Sequence, residues 1–200
     1  MSKKNVAVFV SGAGTNLQAI IDANIAAANI AVVLSNKPDA FALDRALNHG
    51  IQVEVVDHKE FDGREAFESE IIERLDKYNI DLVVLAGFMR ILTPYFVNNY
   101  KDRIINLHPA LLPSFPGMHT AKQAIEYGVK ITGVTVHFVD DGVDTGPIIL
   151  QSTVPVEDND TEDTLLEKIH REEHRIFPEA VRLFCEGRLS ISGRKVSIRE

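Results

Sequence analysis

The sequence predicts an α/β fold with a Rossmann-like, open and mostly parallel sheet of about seven strands and helices on both faces. Short, uninterrupted apolar runs such as residues 6–10 are typical of strands buried on both faces of a parallel sheet. Stretches with helical spacing of apolar residues separate these runs, as in βαβ units. A glycine turn at residues 11–16 joins the first strand to the first helix, which is a common opening of such folds.

The first hundred residues alternate between strand and helix. The strand at 6–10 leads into a helix with apolar positions at Leu17, Ala19, Ile20 and Ile21. The elements predicted next are a strand at 30–34, a helix at 40–49, a strand at 52–56, a helix at 61–78 and a strand at 81–86.

The second hundred residues add strands at 104–107, 132–139 and 148–154, and a helix at 119–127. The strand at 132–139 alternates, with Thr135 and His137 on its polar side, which indicates an antiparallel strand. A long helix follows from residue 160 to about residue 185, with a kink or break expected at Pro178. Residues 188–200 are expected to form a polar tail, and a short strand at its end is left open.

The composition is that of an ordinary globular protein, with 45% hydrophobic and 25% charged residues. The formal net charge of -8 argues against nucleic acid or an anionic membrane as the main partner. No apolar stretch is long enough to span a bilayer, and the N-terminus lacks a signal-peptide core. The one cysteine, Cys185, excludes a disulfide within the chain, so we expect a cytoplasmic protein.

Residues 11–16, Ser-Gly-Ala-Gly-Thr-Asn, are a candidate phosphate-binding turn. A glycine turn before a helix gathers backbone N–H groups and the positive end of the helix dipole at one point. Thr15 or Asn16 either caps the helix or donates to the anion, and a plain capped turn is the alternative. A dinucleotide site is disfavoured, because Leu17 replaces the third glycine and the second strand ends without an acidic residue.

The strand at 104–107 ends in two polar residues that are candidates for acyl chemistry. Asn106 and His108 lie two residues apart, so their side chains leave an extended strand by the same face. The amide can donate to a developing oxyanion, and the imidazole can move protons near neutral pH. An ordinary strand end, with an Asn at a turn and a surface His, is the structural alternative.

Four further stretches leave a functional and a structural interpretation open. Arg64 lies near a helix start, where a cation opposes the dipole, either as a ligand-binding residue or as a solvated charge. Residues 87–92 form an apolar loop at the carboxyl end of a strand, which is either a ligand site or a buried connection. The acidic loop at 140–147 either supplies an aspartate to His108 or is a solvated turn. Residues 172–175 are expected to form an exposed charged helix face.

Taken together, the motifs resemble the folate-dependent formyltransferases, and among them the glycinamide ribonucleotide formyltransferases of purine synthesis. The matching stretches are Ser11-Gly12-Ala13-Gly14-Thr15-Asn16-Leu17-Gln18, Leu85-Ala86-Gly87-Phe88-Met89-Arg90-Ile91-Leu92, Asn106-Leu107-His108-Pro109-Ala110-Leu111-Leu112-Pro113 and Asp144-Thr145-Gly146-Pro147. The last two are specific for enzymes that resemble the 10-formyltetrahydrofolate group, and the glycine turn selects the purine enzymes within it. Ala13 and Thr15 depart slightly from the family pattern but keep the backbone donors and a hydroxyl.

The resemblance implies one domain of the formyltransferase fold over residues 1–200. A phosphate-binding half would span about residues 1–100, and a folate and catalytic half about residues 101–200. The implied catalytic residues are Asn106, His108 and Asp144. The implied substrate-binding residues are Gly14, Thr15 and Asn16 for a 5′-phosphate and Glu173 for the ribose or glycinamide group. The implied folate-binding residues are Arg64, Met89, Arg90, Ile91, Leu92, Val139 and Asp140.

The implied reaction moves the formyl group of 10-formyltetrahydrofolate, the co-substrate, to the amine of N1-(5-phospho-D-ribosyl)glycinamide. Both partners are small molecules, and the reaction requires no metal. Asn106 and protonated His108 would stabilise the oxygen of the tetrahedral centre, and Asp144 beside His108 would favour the imidazolium.

Other classes of protein remain as alternatives. A formyltetrahydrofolate hydrolase shares the catalytic motif but carries an N-terminal regulatory domain. Methionyl-tRNA formyltransferases carry a C-terminal nucleic-acid-binding domain, and we expect neither extra domain in these 200 residues. A non-catalytic nucleotide-binding module would need only the glycine turn. The sequence does not fix the oligomeric state, and a homodimer stays open.

Overall fold

A computed structural model describes residues 2–199. The fold is mixed α/β around a mostly parallel sheet, as the sequence predicts. The chain forms two compact units, Met1–Ile105 and Asn106–Glu200, and one strand crosses the boundary between them.

The first unit alternates strand and helix. Its elements are β1 (Lys4–Val10), α1 (Thr15–Asp22), β2 (Ala28–Ser35), α2 (Phe41–Asn48), β3 (Gln52–Val55), a 3₁₀ turn (His58–Glu60), α3 (Arg64–Asp76), β4 (Leu82–Leu85), α4 (Pro94–Asn99) and the start of β5 (Ile104–His108). The neighbouring strands are parallel, in the order β3-β2-β1-β4. The carboxyl ends of these strands therefore lie at one edge, where the loops of the unit begin.

Strand β1 is the centre of this unit. Residues 6–10 are completely buried, as its uninterrupted apolar run predicts. The ring of Phe9 packs against Phe88 and Phe96, with centroids 5.2 and 5.8 Å away. These contacts lie beside the loop at 87–92 and α4, so the core supports the loop that follows β4.

The second unit contains the end of β5 and the remaining elements. These are α5 (Thr120–Tyr127), β6 (Ile131–Phe138), β7 (Ile148–Pro155), α6 (Glu162–Cys185), β8 (Leu189–Ser192) and β9 (Lys195–Ile198). Here the order is β5-β6-β7-β9-β8. Strands β6 and β7 are antiparallel, which confirms the prediction from the alternating pattern at 132–139.

The predicted number of strands is too low. The residues that the structure describes contain nine strands instead of about seven, because the C-terminal stretch forms the two-stranded β8–β9 hairpin where one short strand had been left open. Gly193 makes its turn with a φ of +58°, and β9 pairs with β7. On β6, Thr135 and His137 are as buried as the residues of the apolar side.

Two predictions about the helices need correction, and one helix was not predicted. Helix α6 shows no break at Pro178, because Ile176, Phe177 and Ala180 around the proline are buried and tertiary packing keeps the helix continuous. Helix α4 was not predicted, and begins with Pro94 at its first position, where a missing N–H costs little. The predicted helix at 61–78 begins later, at Arg64.

Candidate active site

The second unit brings together the three predicted catalytic residues. Asn106 and His108 lie on β5, and Asp144 lies in the loop that follows β6. Nδ1 of His108 is 3.4 Å from Oδ2 of Asp144, and the imidazole is buried. Of the two interpretations of the acidic loop, the geometry favours the one in which it supplies an aspartate, Asp144, to His108.

Both nitrogens of His108 face hydrogen-bond acceptors. Nε2 donates to the backbone oxygen of Phe115 at 2.8 Å, while Nδ1 faces the carboxylate of Asp144. The ring is therefore held by protein acceptors at both of its nitrogens. Oδ2 of Asp144 also accepts a hydrogen bond of 2.8 Å from the backbone N–H of Gly117.

A fourth polar residue, His137 on β6, completes the cluster. Its Nε2 lies 3.2 Å from Nδ2 of Asn106 and 3.8 Å from Oδ1 of Asp144, and its Nδ1 lies 2.8 Å from the backbone oxygen of Phe138. Burial lowers the pKa of His137 below its ordinary value of 6.5. His137 is not among the site residues predicted from the sequence. The one available signal is the alternation at 132–139, which places it on the same side of the strand as Thr135.

The loop after β6 has a fixed shape that explains its sequence. Oδ1 of Asp140 accepts hydrogen bonds from Gly142 N at 3.1 Å and from Thr145 Oγ1 at 2.6 Å. A Cβ at position 146 would lie 1.7 Å from the backbone oxygen of Phe138, so only glycine fits there. Asp144 adopts a φ of +54°, a left-handed conformation that aspartate tolerates better than most residues. The loop therefore holds the carboxylate of Asp144 in one place.

The candidate phosphate turn lies in the first unit, at the start of α1. Gly14 is the N-cap residue, with a φ of +73° and no side-chain cap, so the expectation that Thr15 or Asn16 caps the helix is wrong. A Cβ at position 14 would lie 2.5 Å from Cβ of Ala42 on α2, because α2 packs directly against the turn. First-turn N–H groups have no partner within their own helix, which leaves a donor-rich position for an anion.

Two side chains that the sequence analysis did not single out stabilise this turn. Arg45 on α2 donates from Nε to the backbone oxygen of Ala13 at 2.8 Å, which places a cation beside the turn. Ser11 is buried, donates to Oδ1 of Asn36 at 2.5 Å and accepts from the backbone N–H of Met89 at 2.8 Å. Asn36 directly follows β2, near the position where a dinucleotide-binding protein has an acidic residue.

The candidate folate residues of the first unit lie on α3 and in the loop after β4. Arg64 is exposed at the first position of α3. Met89 and Ile91 expose 62% and 60% of their surface, which is unusual for large apolar side chains and typical of a ligand contact. One turn along α3 from Arg64, the buried carboxylate of Glu68 accepts hydrogen bonds from the backbone N–H of Thr93, at 2.7 Å, and from its hydroxyl. Glu68 thus ties the end of the loop to the helix of Arg64.

The remaining candidate residues lie in the second unit. Val139 and Asp140 directly follow β6 and are half-buried. Glu173 is buried on α6, so the expected exposed charged face at 172–175 is wrong for this residue. Glu172 next to it accepts a hydrogen bond of 2.5 Å from Ser152 Oγ and pairs with Arg175 at 2.7 Å.

Between residues 2 and 199, no three His, Cys, Asp or Glu side chains are grouped closely enough to hold a metal ion. Over the same range, no helix has the length and apolar character needed to cross a bilayer.

Comparison with known proteins relates the whole chain to one group of enzymes. Residues 4–181 match the family model described as formyl transferase. Phosphoribosylglycinamide formyltransferase of Escherichia coli is 48% identical over 190 residues, which cover 94% of this chain and 90% of that protein. The trifunctional purine biosynthetic protein adenosine-3 of Drosophila melanogaster is 47% identical over 195 residues. This match covers 95% of the chain but spans only 14% of the length of that relative.

Solved structures give the same relationship. Glycinamide ribonucleotide transformylase 1 from Symbiobacterium toebii superposes with a TM-score of 0.96 at 48% identity, covering 99% of this chain and 95% of the other. The phosphoribosylglycinamide formyltransferase of Coxiella burnetii, solved in complex with CHES, superposes with a TM-score of 0.94 at 41% identity. This match covers 98% of this chain and 94% of the other.

Proposed function

The chain belongs to the formyl transferase family, and we propose that it transfers the formyl group of 10-formyltetrahydrofolate to N1-(5-phospho-D-ribosyl)glycinamide. The products are the N2-formyl ribonucleotide and tetrahydrofolate, in the de novo synthesis of purines. The observation that carries this proposal is the cluster of Asn106, His108 and Asp144, in which a buried imidazole faces a carboxylate beside an amide donor. Burying an imidazole is costly unless its nitrogens form hydrogen bonds or ion pairs, as they do here.

The first chemical step is attack of the glycinamide amine on the formyl carbon. The carbonyl oxygen gains negative charge as the tetrahedral centre forms. The amide N–H of Asn106 is one donor that stabilises this oxygen, and Nε2–H of His108 is the second once it exchanges the backbone oxygen of Phe115 for the substrate oxygen. Donors fixed in advance in a buried site stabilise such a charge more strongly than water does.

The second step moves a proton and breaks the bond to folate. The attacking amine loses a proton, the leaving nitrogen of the folate gains one, and the formyl carbonyl re-forms. His108, directly or through a water molecule, passes this proton, and Asp144 keeps the ring oriented. An amine nucleophile and an activated formyl donor need only this acid–base assistance.

Ribonucleotide contacts are proposed for residues of each unit by itself. Gly14, Thr15 and Asn16 hold the 5′-phosphate at the start of α1, a proposal supported by the N-terminal helix position and by the cation of Arg45 beside the turn. The buried Glu173 on α6 contacts the ribose or the glycinamide group. A carboxylate is a suitable acceptor for ribose hydroxyls or for the glycinamide N–H groups.

Binding of the folate uses side chains and backbone groups. The cation of Arg64 suits the carboxylates of the folate tail. Residues 89–92 and the backbone around Val139 and Asp140 contact the rest of the molecule. The exposed side chains of Met89 and Ile91 support this assignment, because an apolar ring system would cover them.

The compartment and domain organisation are also proposals. We place the protein in the cytoplasm, since its one cysteine is buried and a chain without disulfides suits a reducing compartment. Residues 1–200 are taken as one functional domain, whose phosphate-binding and catalytic halves are proposed to lie at about 1–100 and 101–200.

The proposed function is tested by mixing the protein with 10-formyltetrahydrofolate and following tetrahydrofolate release. Release that depends on glycinamide ribonucleotide supports the transferase. Release at a similar rate without the ribonucleotide would establish a hydrolase instead, and no release in either case would leave a nucleotide-binding module. His108→Ala should abolish the release, and His49→Ala, an exposed histidine at the end of α2, is the matched control.

A further inference from the structure

We propose that His137 is a positioning residue, which fixes the side-chain amide of Asn106 so that one amide proton faces the reacting carbonyl. This proposal rests on the proposed function, because it assigns a purpose to the orientation of the oxyanion donor. His137 itself lies on β6 and acts only through Asn106. It is 2% exposed, so its contacts with the cluster are made in the absence of water.

The contact of His137 with the backbone of Phe138 fixes the tautomer of the neutral ring. Nδ1 lies 2.8 Å from the backbone oxygen of Phe138. A carbonyl oxygen only accepts hydrogen bonds, so the proton of the neutral ring is on Nδ1. Nε2 therefore presents a lone pair to the cluster.

The tautomer of His137 sets the direction of the Asn106 amide. Nε2 of His137 lies 3.2 Å from Nδ2 of Asn106, which donates to the lone pair. Turning the amide by half a turn would bring its oxygen against that lone pair, and two acceptors would face each other in a buried site. The neutral histidine thus selects one of the two amide orientations. One amide proton is used by His137, and the other remains for the substrate oxygen.

The charge of His137 also bears on this orientation. Burial is the largest influence and lowers the pKa of His137, with a smaller contribution in the same direction from His108 on β5. The hydrogen bond to the backbone oxygen of Phe138 and the carboxylates of Asp144, whose Oδ1 is 3.8 Å from Nε2, and of Asp140 raise the pKa but do not outweigh burial. A proton on Nε2 would face the Asn106 amide group donor to donor, and the amide would then turn its oxygen towards His137. The ring must stay neutral for Asn106 to keep its donor in place.

The tautomer can be measured directly in the intact protein. Ring-¹⁵N-labelled histidine is incorporated, and the proton-coupled ¹⁵N spectrum is recorded at pH 7.5, with His137→Gln used to assign the signal. We expect a neutral ring with its proton on Nδ1 and an unprotonated Nε2. An imidazolium, or a proton on Nε2, would overturn the proposal. This measurement needs no substrate, so it is independent of whether formyl transfer occurs.

Kinetics provide the second test, with two substitutions that differ in their acceptor. His137→Leu removes the acceptor and should lower kcat about 10- to 100-fold, less than the roughly 100- to 1000-fold loss of an oxyanion donor itself. His137→Gln places an amide oxygen near the former Nε2 and should recover at least half of that loss on a logarithmic scale. The KM values for both substrates should stay within about twofold, because the donor acts mainly in the transition state.

A double substitution separates positioning from general damage to the fold. In an Asn106→Ala background, His137→Leu should lower kcat by less than about twofold, since the group that it positions is already gone. A decrease as large as in the wild-type background would contradict the proposal. If both single variants transfer no formyl group because the proposed reaction is wrong, the ¹⁵N result still decides the tautomer.

Discussion

Asp144 faces His108 with Oδ2 3.4 Å from Nδ1, although the two residues belong to different elements of the second unit. The carboxylate of Asp144 accepts a hydrogen bond from the N–H of Gly117, and the close contact at Gly146 fixes the loop that carries Asp144. The imidazole is held at its other nitrogen by the backbone oxygen of Phe115. The pair is therefore preorganised, which is the condition for an effective acid–base group.

Asp144→Asn should lower kcat about 100-fold or more, the size of effect expected when acid–base assistance is disturbed. The substitution keeps the size of the side chain but replaces the carboxylate that faces Nδ1, so the imidazole loses the group that orients it. Steady-state kinetics with both substrates measure this. Asp141→Asn, in the same loop but exposed, is the matched control and should leave kcat unchanged. An Asp144→Asn enzyme with the wild-type kcat would remove Asp144 from the proposed role.

Asn106→Ala should lower kcat about 100- to 1000-fold, which corresponds to roughly 2.7–4 kcal/mol of barrier for one oxyanion donor. The KM values should change little, because the amide contributes mainly after the amine has attacked. Steady-state kinetics with both substrates measure this, and Asn98→Ala, an exposed residue of α4, serves as the control. A variant that raises KM with kcat unchanged would make Asn106 a ground-state binding residue.

Gly14→Ala should weaken binding of the ribonucleotide much more than Gly12→Ala. A Cβ at position 14 would meet Cβ of Ala42 at 2.5 Å and would require a φ of +73°, whereas nothing lies within 4 Å of a Cβ at position 12. We expect a rise in KM for the ribonucleotide of about tenfold or more, together with a loss of stability of about 1 kcal/mol or more. Titration calorimetry with the ribonucleotide and urea unfolding report the two effects separately. Equal affinities for the two variants would argue against a phosphate site at this turn.

The free energy of unfolding should decrease as the pH falls below about 6.5, in part because of His137. Burial lowers the pKa of this ring in the folded protein, while the unfolded chain takes up the proton near the ordinary value of 6.5. The unfolded state therefore binds more protons between the two pKa values, and stability is lost as the pH falls through that window. One such group contributes a slope of at most about 1.4 kcal/mol per pH unit.

Urea unfolding of wild type and His137→Leu at pH 7.5, 6.5 and 5.5 tests this linkage. The absolute stability of the variant does not matter, because only the slopes with pH are compared. The variant should show the shallower slope, since it lacks the buried ring that resists protonation. Identical slopes would mean that His137 titrates alike in the folded and unfolded chains.

The sequence predicts the catalytic strand well because its signal is local. Asn106 and His108 lie two residues apart, and strand geometry alone places them on one face. Asp144 is different: its approach to His108 depends on a left-handed φ and on the close contact of Gly146 with Phe138, neither of which has a periodic signal. Its role followed from the family resemblance, and the structure shows the contact.

Long-range packing accounts for the features that the sequence did not predict. His137 lies on what alternation presents as the polar side of β6, but the strand is buried on both faces and the ring faces the catalytic cluster. The β8–β9 hairpin is short and polar, and β9 is held as a strand by its pairing with β7. Helix α6 continues through Pro178 because its buried face is packed. In each case a distant partner outweighs the local preference.

The most direct test of the central claim follows the formyl carbon itself. The protein is incubated with 10-[¹³C]formyltetrahydrofolate and glycinamide ribonucleotide, and the labelled product is identified by ¹³C NMR, with His108→Ala in parallel. We predict that the label appears in the formamide of the N2-formyl ribonucleotide with the wild-type protein and stays on folate with the variant. Label recovered as formate, or transfer that persists without His108, would contradict the account.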